Sequence, residues 1–243
     1  MVTVPNGLAV GAAVLVALLV ALGTTVGLGD PGWSVGLACG FVMSAAVARG
    51  GADALGPADL VTVSRAALAC AVAALVADSF FEQPAVPTLV ALTVAALALD
   101  AVDGWVARRT RTATMFGARF DGEVDAFLIL VLSVYVAAAV DGWVLAIGVA
   151  RYAFAVAGWG LPWLRGQLPP RYWRKVVAAT QGIVLTLAAA SVAPSWLTYA
   201  ALAVALALLT ESFGRDVLWL WRHRFPERAQ PTGPSGLLRL QRP

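Results

Sequence analysis

Eight apolar runs follow one another through almost the whole 243-residue chain, near residues 8–28, 33–48, 64–80, 87–107, 121–140, 142–163, 174–193 and 196–220. Each is close to the roughly 20 residues that a helix needs to cross a bilayer, and short segments rich in Gly, Pro or charge separate them. None shows the ten-residue alternation of an outer-membrane barrel strand, so helices are the remaining way to satisfy the backbone in lipid. Composition agrees: 60% of residues are apolar and only 13% charged, against about 45–50% apolar in soluble domains. The expected fold is an all-α, polytopic membrane helical bundle of about eight spans.

No Lys or Arg precedes the first run at Leu8, so the basic region of a cleaved signal is missing and this run reads as a retained span. The basic residues cluster in alternate connections. One set holds Arg49 and Arg65; then Arg108, Arg109, Arg111 and Arg119; then Arg165, Arg171, Arg174 and Lys175; then Arg222, Arg224, Arg228, Arg239 and Arg242. The opposite loops, near Asp30, Glu82, Asp141 and Pro194, carry none. The positive-inside rule then places both termini on the cytoplasmic side of the cell membrane. The net charge of +3 is read as this topological signal with a secondary attraction to anionic lipid, and nucleic acid is a poor partner. Residues 223–243, rich in Arg, Pro and Gly, read as a disordered basic cytoplasmic tail in which His223 is a lone solvated residue. Cys39 and Cys70 sit in apolar runs and read as small packed side chains. Gly32, Gly36 and Gly40 form a four-residue stripe suited to close packing within the molecule.

Against this background one polar pattern stands out: Asp100-x-x-Asp103-Gly104-x-x-Ala107-Arg108, eight residues, then Gly117-x-x-x-Asp121-x-x-x-Asp125. At 100° per residue the first five positions fall on one helical face. Gly117, Asp121 and Asp125 share a face of the next helix. A short basic connection makes the two helices antiparallel neighbours, with all four carboxylates at one depth near the cytoplasmic edge. Two carboxylates about 4 Å apart repel by about 4 kcal/mol at an effective dielectric near 20, so four together need compensation. A divalent cation supplies it, and a site of carboxylates without His or Cys favours Mg²⁺ or Mn²⁺ over zinc. The spacing accommodates one ion or two. Gly104, Ala107 and Gly117 leave room against the backbone, and Arg108 offers a planar fork matched to phosphate.

All eight fixed positions of this pattern match the signature of the CDP-alcohol phosphatidyltransferase family, which the chain resembles over about residues 57–220. The resemblance implies a six-helix membrane core, with residues 1–50 as an added helical hairpin, 51–222 as the family domain, and 223–243 as the tail. It implies transfer of a phosphatidyl or related phospho-alcohol group from CDP-diacylglycerol or another CDP-alcohol to a small acceptor alcohol, releasing CMP in phospholipid biosynthesis. Asp100, Asp103 and Asp121 would ligate metal, and Asp125 would join them and act as the base on the acceptor hydroxyl. Gly104, Ala107, Arg108 and Gly117 would surround the CDP portion. A homodimer in the lipid bilayer, with its site open to the cytoplasmic leaflet, is the family expectation. No Ser/His or Cys/His pair accompanies the acids, so direct attack on phosphorus is favoured over a covalent enzyme intermediate. The rival class is a transporter or proton pathway using the same intramembrane carboxylates.

Several residues are left with two readings. Pro57–Arg65 resembles the family's interfacial opening segment, but Asp59 stands where Asn is usual, so Asp59 reads as an N-cap or surface residue as readily as a substrate contact. Lys175 and Gln181 loosely resemble a segment of members that use glycerol 3-phosphate. Arg171, Arg174 and Lys175, with Arg151, therefore read either as a site for a phosphorylated acceptor or as loop anchors. Arg215 reads as paired with Glu211 or Asp216. Ala139–Val144 repeats the sequence of Ala101–Val106 without its second aspartate, and there Asp141 reads as a turn or cap residue.

Overall fold

The structure is a computed structural model that describes residues 2–50, 54–110, 114–166, 168–169 and 172–224; the side chains of residues 103, 105–108 and 110 lie outside that description. The described residues form eight α-helices: α1 (Val4–Thr25), α2 (Asp30–Arg49), α3 (Pro57–Asp78), α4 (Val86–Thr110), α5 (Met115–Ala139), α6 (Leu145–Gly160), α7 (Tyr172–Ala189) and α8 (Ser195–Arg222). The all-α bundle is as expected, one helix for each apolar run. Prolines at the first turns of α1, α2 and α3 fix where those helices begin, since the missing N–H is an orphan there in any case.

Among the described residues, six helical segments are long and apolar enough to cross a membrane: α1, α2, α3, α5, α8, and α6 together with the 3₁₀ turn Gly142–Val144 before it. Of the other two helices, α4 has a shorter apolar segment among the described residues, Val86–Val102, and α7 holds Arg174, Lys175, Thr180 and Gln181 within its 18 residues.

The centre of the bundle is α3, which packs against α1, α2, α4 and α5. A helix covered on all sides needs an apolar surface all round, and small residues let several neighbours approach it closely. Ala66, Ala67, Ala69, Cys70, Ala71, Ala73 and Ala74 supply both, and all are buried. The glycine stripe of α2 works within the molecule: a Cβ at Gly36 would come within 3.1 Å of the Ala74 Cβ and 2.8 Å of Leu19. The turn between α1 and α2 is pinned to the far end of α3 by Gly29 N–H donating to Asp78 Oδ1 at 3.0 Å. Beyond α3, α5 packs on α6 and α7, and α7 on α8. One apolar core runs through Leu19, Val72, Leu89, Leu132, Leu185 and Leu202.

Sequence reading did not anticipate the short antiparallel pair of β1 (Val2–Thr3) and β2 (Ala54–Leu55), which ties the N-terminus to the start of α3. Two residues per strand carry no periodic signal. Asp141 accepts from Trp143 N–H at 3.4 Å and so caps the turn before α6, as expected. His223 is exposed but not solitary, because its ring stacks on Trp219 at 4.2 Å between centroids. The rest of the expected disordered tail, from residue 225, lies outside the described residues.

Candidate functional site

Three of the four signature aspartates come together. One carboxylate oxygen each from Asp100, on α4, and from Asp121 and Asp125, on α5, lie within 4.8 Å of one another. Asp121 and Asp125 share a face because they are four residues apart on one helix. Asp100 reaches them from the second half of α4. The side chains of Asp103, Ala107 and Arg108 lie outside the described residues, so the gathered set is three acids.

Both helices pack on α3: among the described residues α4 lies mainly against it, and α5 lies against it as well as against α6 and α7.

Between the carboxylates stands Arg65, which sequence reading had assigned to a basic loop. It lies inside α3 and is fully buried. Its Nη1 pairs with Asp100 Oδ1 at 3.1 Å and also with Asp121 Oδ1, and its Nη2 pairs with Asp125 Oδ1. Its Nε donates to the Ala96 carbonyl, one turn before Asp100, at 3.2 Å. α3 begins at Pro57 rather than near residue 64, so Arg65 falls in its third turn and not at its end. A buried guanidinium is tolerated only when paired, and three acids on two helices pair it. The signal that could have exposed this role was a positive charge at the head of an apolar run with no acid three or four residues away.

Two features of the cluster suit a cation. Every ligand atom is a carboxylate oxygen, the donor type of hard divalent ions. The acid side chains are 44%, 33% and 31% exposed while Arg65 is 0% exposed, so the carboxylates are reached from outside and the guanidinium backs them from within. Arg65 balances one of their three charges.

Beside the cluster, Gly117 at the start of α5 faces Asp59 of α3. A Cβ at Gly117 would collide with Asp59 Oδ1, and the Gly117 N–H is occupied by Thr114 Oγ1 at 2.8 Å, the N-cap of α5. Asp59 is 4% exposed, and its Oδ2 accepts from Gly56 N–H at 2.8 Å. It is thus the third residue of α3, its carboxylate reaching back to the N-cap N–H as in one half of a capping box, and not an N-cap or surface residue.

Two of the basic residues considered for an acceptor are engaged in pairs of their own. Arg151, on α6, pairs with Glu123 of α5 at the exposed rim. Arg174, on α7, pairs with Asp216 of α8 at 3.0 Å and donates to the Pro169 carbonyl at 2.8 Å. Lys175 is exposed, and Arg171 lies outside the described residues. Arg215 pairs with Glu211, one turn earlier, which leaves Asp216 to Arg174.

Residues 56–209 match the family model described as CDP-alcohol phosphatidyltransferase. No curated protein and no solved structure matches the chain.

Proposed function

The chain belongs to the CDP-alcohol phosphatidyltransferase family, and we propose that it transfers the phosphatidyl group of CDP-diacylglycerol, or the phospho-alcohol group of a related CDP-alcohol, to an acceptor hydroxyl. The observation that carries this reading is the convergence of Asp100, Asp121 and Asp125 within an apolar bundle, where carboxylates are costly unless they serve a ligand.

The donor set fits Mg²⁺ or Mn²⁺, with Asp100, Asp103, Asp121 and Asp125 as the residues that would hold it. When bound, the ion would neutralise the substrate diphosphate and the charge that develops on departing CMP. Asp125 would accept the proton of the acceptor hydroxyl at a carboxylate oxygen. The acceptor oxygen then bonds to the lipid-linked phosphorus, and the bond from that phosphorus to the bridging oxygen breaks. The electron pair leaves with CMP. Gly104, Ala107 and Gly117 would leave the nucleotide its space, and Arg108 would pair a phosphate oxygen. Arg151, Arg171, Arg174 and Lys175 are the residues that would meet a phosphorylated acceptor such as glycerol 3-phosphate. The reading includes a cytoplasmic face for the site and both termini, a homodimeric assembly, and a division into hairpin (1–50), family domain (51–222) and tail (223–243).

The test is CMP release from CDP-diacylglycerol by the purified full-length protein with Mn²⁺, with and without glycerol 3-phosphate, inositol 1-phosphate, inositol or serine. Release should require both the metal and one of the alcohols. Asp125→Asn should lower the rate by about 10²–10⁴, the usual worth of a positioned base, while CDP-lipid binding persists. Cation transport across vesicles without any CMP release would overturn the assignment in favour of a transport protein.

A further inference from the structure

Arg65 belongs to no part of the chemistry above, yet it is the largest fully buried side chain among the described residues and touches all three gathered acids. We infer that Arg65 is a positioning residue that acts as the site's built-in counter-cation: it holds Asp100, Asp121 and Asp125 assembled without metal, and it competes with the divalent cation for their oxygens. The inference rests on the proposed metal-dependent reading and concerns how that same site is tuned.

Three observations support it. The guanidinium is anchored at its back by Nε on the Ala96 carbonyl, so the fork is aimed rather than loosely attracted. It bridges α3 to both α4 and α5, which among the described residues pack little on each other, so in the metal-free protein these ion pairs hold Asp100 near Asp121 and Asp125. Arg65 engages an Oδ1 of each acid, so a cation drawing on those oxygens would meet the guanidinium there.

A side chain that merely filled space would behave differently when removed. Without Arg65, metal-free carboxylates should repel one another and the bundle should loosen, whereas a bound Mn²⁺ should restore it. The ion should also bind more tightly, because its competitor has gone. The experiment uses the full-length protein in detergent micelles and Mn²⁺ alone as probe. Free Mn²⁺ is measured by electron paramagnetic resonance, and thermal unfolding is followed in EDTA and in excess Mn²⁺, for wild type, Arg65→Gln and Arg65→Lys. Arg65→Gln should bind Mn²⁺ at least about tenfold more tightly than wild type, a small part of the Coulomb pull of a unit charge at this range. It should melt well below wild type in EDTA and regain most of the loss in Mn²⁺. Arg65→Lys, which keeps the charge but not the fork, should fall between the two.

Equal or weaker Mn²⁺ binding by Arg65→Gln, an equal loss of stability in EDTA and in Mn²⁺, or failure to purify it in either buffer would overturn the inference while leaving the functional reading intact. Purification in Mn²⁺ but not in EDTA supports it. If no variant binds Mn²⁺, or if Asp121→Asn binds as wild type does, the metal-dependent reading itself fails and takes the inference with it.

Discussion

Asp59 and Gly117 meet at the edge of the site, and each explains the other's side-chain size. Asp59 is held in place by its bond to the Gly56 N–H, so it cannot swing away from a new methyl group at Gly117 without uncapping α3. Gly117→Ala should therefore destabilise the protein by about 1–3 kcal/mol, the usual cost of overpacking. Asp59→Ala alone should cost about 1 kcal/mol as a lost cap. In the double variant the clash disappears, so the two losses should fall short of additivity by at least about 0.5 kcal/mol in a double-mutant cycle of thermal unfolding. Strict additivity would mean that the side chains do not meet. At the rim, Arg151→Ala should change stability by less than about 1 kcal/mol, because its pair with Glu123 is about half exposed on both sides. A large loss of turnover at unchanged stability in that variant would instead support an acceptor role.

Among the elements, α3 has the most demanding surface, and its sequence is legible only in part. An unbroken run of small apolar residues announces a buried helix, but an apolar run cannot say which neighbours cover it. Gly36→Leu in α2 would drive a branched side chain into Ala74 and Leu19. It should lower the melting temperature in detergent markedly, while the same change at Gly214, where an added Cβ would meet open space, should not. On the other side of the bundle, Gln181 Nε2 donates to the Ala205 carbonyl at 2.8 Å and links α7 to α8. Its Oε1 is buried with no hydrogen-bond partner among the described residues. Interhelical hydrogen bonds in membranes are worth about 0.6 kcal/mol on average, and the orphaned oxygen offsets part of that. Gln181→Leu should accordingly shift stability by less than about 1 kcal/mol, and a loss of activity without a loss of stability would mark Gln181 as a ligand contact.

At the scale of the whole molecule, the N-terminal hairpin and the remaining helices share one apolar core, in which Leu15, Leu19, Leu22 and Val47 pack with the alanines of α3. A chain beginning near residue 54 would expose that face of α3 to lipid, which cannot reproduce its close contacts. Removal of residues 1–50 should therefore yield a protein that melts far lower or aggregates; a truncated chain as stable as the full one would show that the hairpin is an independent addition. The amino-acid sequence alone determined the membrane class and the helix count, and it singled out Asp100, Asp121 and Asp125, which the fold brings together, because apolar length, Pro and Gly punctuation and helical spacing are local properties of the chain. It did not determine that α4 and α5 would both pack on α3, or that Arg65 would reach three aspartates 35 to 60 positions away. Ion pairing at that separation depends on which helices pack together, and packing is decided by the fit of whole surfaces, with small residues on one helix admitting the backbones of four others.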